Sequence, residues 1–134
     1  MADLRASEAQ RLILDSITRR AVESVTLERS LFRVLGEDIR AIRDLPPYDV
    51  SAMDGFAAHS ANLPARLPVV GAIAAGARRP APLAPGTAVR IMTGAPMPPG
   101  ADCVVMFEDA GDHGAEVELP AAAVGAHVRQ RGED

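Results

Sequence analysis

The chain has 134 residues, of which 48% are hydrophobic and only 3% aromatic, and its formal net charge is −4. This length fits one domain, or one small domain with an appendage, and the acidic charge argues against nucleic acid as the main ligand because phosphate contacts need a basic face. No apolar run approaches the length of a signal peptide or a membrane span, so the sequence predicts a cytoplasmic protein without membrane segments.

The first part of the chain, residues 1–45, is predicted to be helical. Ser7 and Gln10 have the spacing of a capping box. An apolar stripe at helical intervals follows, formed by Leu12, Ile13, Leu14 and Ile17. A second helix is expected over residues 28–35, with Gly36 as its stop.

Residues 46–134 are predicted to form a small β-rich module. Pro46 and Pro47 prevent a helix from passing this point. Short β-branched runs between Pro and Gly predict strands over residues 55–58, 67–73, 88–92, 103–107, 116–119 and 127–129. Residues 111–114 are expected to be a hairpin loop. The predicted fold class is therefore α+β, with a helical segment followed by a β-barrel-like or β-sandwich module.

Cysteine and histidine give little support to a metal site. Cys103 is the single cysteine, which excludes an internal disulfide, and its apolar neighbours predict a buried thiol. His59, His113 and His127 have no metal-ligand spacing among themselves or with Cys103.

The segment Ser51-Ala52-Met53-Asp54-Gly55 is the strongest candidate for chemistry. Small residues around one carboxylate let the backbone approach a ligand, and Asp54 could then hold Mg²⁺ or orient a water molecule. The alternative is an ordinary hairpin turn, for which Asp-Gly is a common sequence. Spacing alone leaves both interpretations open.

Two further segments carry weaker signals. A strand that ends in Thr93-Gly94-Ala95 presents successive N–H groups and a hydroxyl, which suits an oxyanion, although a simple bend explains it equally well. Glu108, Asp109 and Asp112 form an acidic cluster at a predicted strand end, for which solvated loop charge is the simplest explanation.

Taken together, these strings resemble a known family. Residues 47–57, centred on the Ser-Ala-Met-Asp-Gly segment, resemble the signature of the MoeA and gephyrin E-domain family. Thr93-Gly94-Ala95, Gly100-Ala101-Asp102, Glu108 and the closing Arg131-Gly132-Glu133-Asp134 follow in the family's order and spacing. Val50 departs from the pattern, since the family usually has Asn there.

The resemblance implies a molybdopterin molybdotransferase of molybdenum cofactor biosynthesis. Such an enzyme takes adenylylated molybdopterin and molybdate, hydrolyses the adenylate with help from Mg²⁺, and leaves molybdenum on the dithiolene sulfurs. The family is homodimeric and continues into a catalytic α/β domain and a C-terminal β domain. The chain is therefore expected to be an N-terminal fragment without activity of its own. The alternative is a non-catalytic scaffold or interaction module, as in the gephyrin branch.

Site residues follow from the same resemblance. Asp54, Thr93 and Asp134 match positions regarded as catalytic, and Asp54 is the best candidate for a metal ligand whose full set is unknown. The predicted substrate-binding residues are Ser51, Met53, Gly94, Ala95 and Glu108.

Overall fold

The structure is a computed structural model that describes residues 4–134 of the chain. It divides into two compact units, of which the first ends at Arg40 and the second spans Ala41–Asp134. No helix in the described part of the chain is long and apolar enough to cross a membrane.

The first unit contains one α-helix, α1 (Ala6–Ser16), and one 3-10 turn at Leu27–Arg29. Helix α1 begins one residue before Ser7, and no side chain caps it, so the predicted capping box does not form. None of the residues of α1 is buried. The apolar stripe therefore exists but is not buried against another part of the first unit.

The predicted second helix over residues 28–35 is wrong. Only the three-residue turn forms there, and the backbone leaves the helical region at Phe32, whose φ is +61°. A helix of two turns is not stable in water unless one face packs, and here Val34 is 96% exposed. The prediction of a helical N-terminal segment is corrected accordingly, because most of the first unit has no regular secondary structure.

The second unit contains eight strands. Their bounds are β1 (Val50–Ser51), β2 (Gly55–Ala58), β3 (Ala65–Ile73), β4 (Ala88–Ile91), β5 (Cys103–Met106), β6 (Gly111–Asp112), β7 (Glu116–Leu119) and β8 (Val128–Arg129). Six of them form one sheet in the order β5-β2-β4-β3-β7-β6, in which only β3 and β4 are parallel, while β1 and β8 form a separate antiparallel pair.

The predicted barrel or sandwich is also wrong. The six-stranded sheet has two edges, β5 and β6, so it does not close, and the second sheet is only a two-stranded ribbon. The segment expected to be a hairpin loop begins as strand β6. Strand β3 pairs with β7 through its first half and with β4 through its second, so Pro68 lies in an interior strand where only one side is paired.

Apolar side chains cover both faces of the central strands. Successive residues of a strand point to opposite faces, so neighbours in sequence enter different clusters. One cluster contains Phe56, Ala58, Leu67, Ala88, Val105, Val117 and Leu119. The other contains Ala57, Leu83, Val89, Ile91, Ala95 and Val104. All four residues of β2 are buried, so the segment that directly follows Asp54 is held within the sheet.

Candidate functional site

The turn between β1 and β2 is folded by the side chain of Ser51. The Ser51 hydroxyl donates to the Met53 carbonyl at 2.6 Å and accepts from the Met53 N–H at 3.3 Å. A serine that bonds the backbone two residues ahead is a common way to stabilise a tight turn. The chain therefore bends over residues 52–54 and presents Asp54 directly before β2.

Gly55 is required by close packing. Its neighbours across the sheet are Ile91 on β4 and Met106 on β5. A Cβ at this position would lie 2.0 Å from the carbonyl oxygen of Val105. Gly55 is thus the first residue of a central strand rather than the second residue of a two-residue hairpin loop.

Asp54 and Thr93 are in direct contact. The N–H and the hydroxyl of Thr93 each donate to Oδ1 of Asp54 at 2.7 Å. The Thr93 N–H, and after it the Thr93 hydroxyl, hold the pKa of Asp54 below its ordinary value. Within residues 4–134, Oδ2 of Asp54 accepts no hydrogen bond, so an ionised and exposed oxygen remains available to a ligand.

The N–H groups of the Thr93 bend are already used inside the chain. Thr93 N–H donates to Asp54, Gly94 N–H donates to the Ser51 carbonyl at 2.8 Å, and Ala95 N–H donates to the Met92 carbonyl at 2.9 Å. In this arrangement the three groups do not present a free cradle for an oxyanion. The substrate-binding roles of Gly94 and Ala95 stay predictions.

Asp134 lies at the end of a second network. Its carboxylate pairs with the guanidinium of Arg129, which also binds Glu133 at 2.7 Å. Its N–H donates to the Leu45 carbonyl at 3.1 Å. Arg129 belongs to β8, where it pairs with Val50 of β1. Asp134 is thus linked to the Asp54 turn through the β1–β8 ribbon, although no bond joins the two carboxylates.

Two arginines in this part of the chain were not predicted as site residues, although the closing string that resembles the family includes Arg131. Arg129 is described above, and Arg131 bonds Asp44 at 2.5 Å through its side chain and Asp49 at 2.8 Å through its N–H. The signal available in sequence was the pair of arginines two residues apart beside the acidic ending, which composition alone does not distinguish from surface charge.

Glu108 and Met53 lie beside the Asp54 turn. Glu108 is exposed in a 3-10 turn (Phe107–Asp109) after β5, and the N–H of the preceding Phe107 donates to the Asp54 carbonyl at 3.2 Å. Met53 is 39% exposed. Their predicted contact with substrate stays a prediction.

A metal would have few protein ligands here. Within residues 4–134 no three His, Cys, Asp or Glu side chains are grouped for metal binding. Mg²⁺ is commonly bound through one or two carboxylates together with substrate phosphates and water. The exposed Oδ2 of Asp54 could supply one oxygen ligand to a hard cation such as Mg²⁺.

A groove of about 490 Å³ on the second unit has none of the predicted site residues in its lining. It is lined by Pro64, Ala65, Arg66, Asp109, Gly111, Glu118, Leu119 and Pro120. Cys103 is also outside the candidate site, because it is buried. Burial, together with the charge of Asp102, raises the pKa of its thiol to about 11, which makes it a poor nucleophile.

Comparison with known proteins identifies the family. Residues 4–134 match the family model for the MoeA N-terminal region, domains I and II. The chain is 42% identical over 124 residues to a molybdopterin molybdenumtransferase of Synechococcus elongatus, covering 85% of this chain and 30% of that relative. It is 38% identical over 136 residues to molybdopterin molybdenumtransferase 2 of Mycobacterium tuberculosis, covering 95% and 33%.

Solved structures agree with this match. The chain superposes on a molybdopterin biosynthesis moeA protein of Pyrococcus horikoshii with a TM-score of 0.84 and 32% identity, covering 96% of this chain and 36% of that one. It thus spans about a third of the length of the relatives it matches. The resemblance inferred from the signature strings is confirmed, and the chain belongs to the MoeA family as its N-terminal region.

Proposed function

We propose that this chain serves in molybdenum cofactor biosynthesis as the N-terminal part of a molybdopterin molybdenumtransferase. The observation that carries the proposal is the Asp54–Thr93 contact, which holds one carboxylate in a fixed position with a free oxygen. It lies within the signature of a family whose relatives at 42% and 38% identity carry that enzyme name. The proposed substrates are adenylylated molybdopterin and molybdate.

The electrostatics of Asp54 favour a ligand over a base. Hydrogen bonds from Thr93 stabilise the ionised carboxylate and lower its pKa, and a carboxylate that holds its proton weakly is a poor general base at neutral pH. An ionised oxygen suits a hard cation or an oriented water molecule. We therefore assign Asp54 the role of positioning a water molecule or one Mg²⁺ ion. A bound Mg²⁺ would neutralise negative charge on the substrate phosphate.

Thr93 then acts mainly through Asp54. Its hydroxyl proton and its N–H are both directed at Oδ1 of Asp54, so neither is free to donate to a phosphate or molybdate oxygen. We assign Thr93 the orientation of the Asp54 carboxylate. Asp134 is held by Arg129 of the β1–β8 ribbon, and we assign it a supporting role for the Asp54 turn, which directly follows β1.

We further propose a cytoplasmic homodimer. The first unit supports the dimer because it exposes large apolar side chains, among them Phe32 at 98% and Val34 at 96%. Sedimentation equilibrium of the chain tests this, with a monomer at every concentration counting against it.

The enzymatic proposal is tested in a chimera. In this chimera the chain replaces the matching third of the Synechococcus relative, in cells that lack their own molybdopterin molybdenumtransferase. Asp54→Asn should lower molybdenum insertion by about 100-fold, the loss expected when a group that positions water or a metal ion for reaction is removed. The readout is molybdenum bound to pterin, normalised to chimera abundance.

Asp109→Asn is the matched control, because Asp109 is an exposed aspartate of a 3-10 turn outside the Asp54–Thr93 contact. It should insert molybdenum at the level of the unsubstituted chimera. The scaffold alternative predicts that both variants behave alike. Near-normal insertion by Asp54→Asn would therefore reject the enzymatic role given to Asp54.

A further inference from the structure

Ser51 is unusual among the polar residues of the described chain. Its exposure is 1%, and it is the one polar residue among positions 4–134 that is classed as buried. A buried hydroxyl is costly unless it is hydrogen-bonded. Here the hydroxyl donates its proton to the Met53 carbonyl and accepts from the Met53 N–H, so its donor and one of its two acceptor sites are used within the turn.

The main chain of Ser51 bonds the second segment of the site, which is the bend that carries Thr93. Its N–H donates to the Ala95 carbonyl at 2.9 Å, and its carbonyl accepts from the Gly94 N–H at 2.8 Å. These two bonds fix the bend that carries Thr93. Ser51 therefore bonds both segments that form the Asp54–Thr93 contact. Its side chain stabilises the turn before Asp54, and its main chain holds the bend that carries Thr93.

We propose that Ser51 is a positioning residue, whose hydroxyl shapes the turn so that Oδ1 of Asp54 meets the two donors of Thr93. This replaces the substrate-binding role predicted from sequence. The importance of Ser51 for catalysis rests on the proposed function, because it acts only through Asp54. Its effect on the Asp54 carboxylate does not depend on that function.

Burial argues against direct contact between Ser51 and substrate. A ligand that bonded the hydroxyl would have to displace Met53 and open the turn that presents Asp54. The outward-facing atoms of the turn belong instead to Met53 and Asp54, both of which are exposed. A buried side chain with its partners in place is suited to fixing geometry rather than to binding.

The experiment measures the Asp54 carboxylate in the 134-residue chain by carbon-detected NMR titration. In the unsubstituted chain the titration midpoint of Asp54 should lie below the ordinary range of aspartate. Ser51→Ala should raise this midpoint, because Asp54 is then held less closely to the Thr93 donors. Ser60→Ala is the matched control, since it also removes a hydrogen-bonded serine hydroxyl of the second unit, in this case one that donates to Asp102 at 2.9 Å.

A merely structural role would lower the stability of Ser51→Ala without moving the Asp54 midpoint in the folded protein. An unchanged midpoint would thus overturn the proposal, as would an equal shift in Ser60→Ala. If the NMR spectrum shows that Ser51→Ala does not fold, Ser51→Cys provides the same comparison. Its thiol fills the space of the hydroxyl but is only a weak hydrogen-bond donor.

Catalysis is read separately in the chimera. Ser51→Ala should reduce the maximal rate of molybdenum insertion more than it raises the KM. A shifted Asp54 midpoint with unchanged insertion would keep Ser51 as the residue that positions Asp54, and would instead reject the catalytic role of Asp54. The two failures are therefore distinguishable.

Discussion

The two units of the chain use similar apolar residues in opposite ways. In the first unit Phe32 is 98% exposed and Val34 is 96% exposed, and helix α1 buries no residue. In the second unit Phe56 and Ile91 are fully buried on opposite faces of one sheet. An apolar pattern thus becomes a core only where another element of the chain supplies the facing surface. The candidate site belongs to the unit that has such a core.

The comparison is tested most strongly by truncating one phenylalanine in each unit. Phe56→Ala should destabilise the chain by about 3–5 kcal/mol, because it removes a fully buried ring and leaves a cavity. It also removes the edge-on contact with Phe107 at 5.2 Å. Phe32→Ala should change stability by less than about 0.5 kcal/mol. Urea unfolding measures both, and similar losses would contradict the division between the units.

The next largest loss of stability is expected for Gly55→Ala, with Gly114→Ala as its comparison. Gly55→Ala should cost about 3 kcal/mol, because the new methyl would collide with the Val105 carbonyl in the neighbouring strand. Gly114→Ala has open space around its Cβ but a φ of +82°, so only backbone strain of about 1 kcal/mol is expected. Thermal unfolding compares the two. A small effect of Gly55→Ala would mean that β2 and β5 are not as closely paired as the site requires.

A third pair of substitutions compares how much one carboxylate from each unit contributes to stability, and how the larger contribution depends on pH. Burial raises the pKa of Asp102, but the two hydrogen bonds from Ser60 and the charge of His59 outweigh it, so the pKa is lowered overall. Because the folded pKa lies below the unfolded value of about 3.9, the stabilisation is present above that pH and is lost as the pH falls through the folded pKa.

Asp102→Asn should therefore cost about 1 kcal/mol at neutral pH, and its difference from the unsubstituted chain should vanish in acid. Glu23→Gln in the first unit breaks only the surface pair with Arg33, and should cost less than about 0.5 kcal/mol. Urea unfolding at several pH values measures both. A cost for Asp102→Asn that persists unchanged in acid would show that its hydrogen bonds, rather than its charge, are responsible.

Local pattern predicted the strands better than the helices. The strands expected over residues 55–58 and 116–119 form with those bounds, because β-branched or small residues there fit a pleated and buried surface. The second helix failed because its apolar face finds no partner within the first unit. Sheet closure was also out of reach, since it depends on pairing between strands that are distant in sequence.

The contact between Asp54 and Thr93 agrees with the sequence prediction that the two residues lie together, but their bonding was not predictable. The signature strings identified Asp54 and Thr93, which lie 39 positions apart and are joined only by the fold. That the Thr93 N–H points at a carboxylate rather than at open solvent could not be inferred from a Thr-Gly-Ala sequence. The burial of Ser51 could not be predicted from the sequence either, because serine is usually exposed.

The contact between Asp54 and Thr93 is tested most directly in the unsubstituted chain, by following both residues in one NMR pH titration. If Thr93 donates to Asp54, its amide proton will move with the same midpoint as the Asp54 carboxyl carbon, and that midpoint will lie below the ordinary range of aspartate. An Asp54 midpoint within that range, with a Thr93 amide that does not follow it, would contradict the site described above.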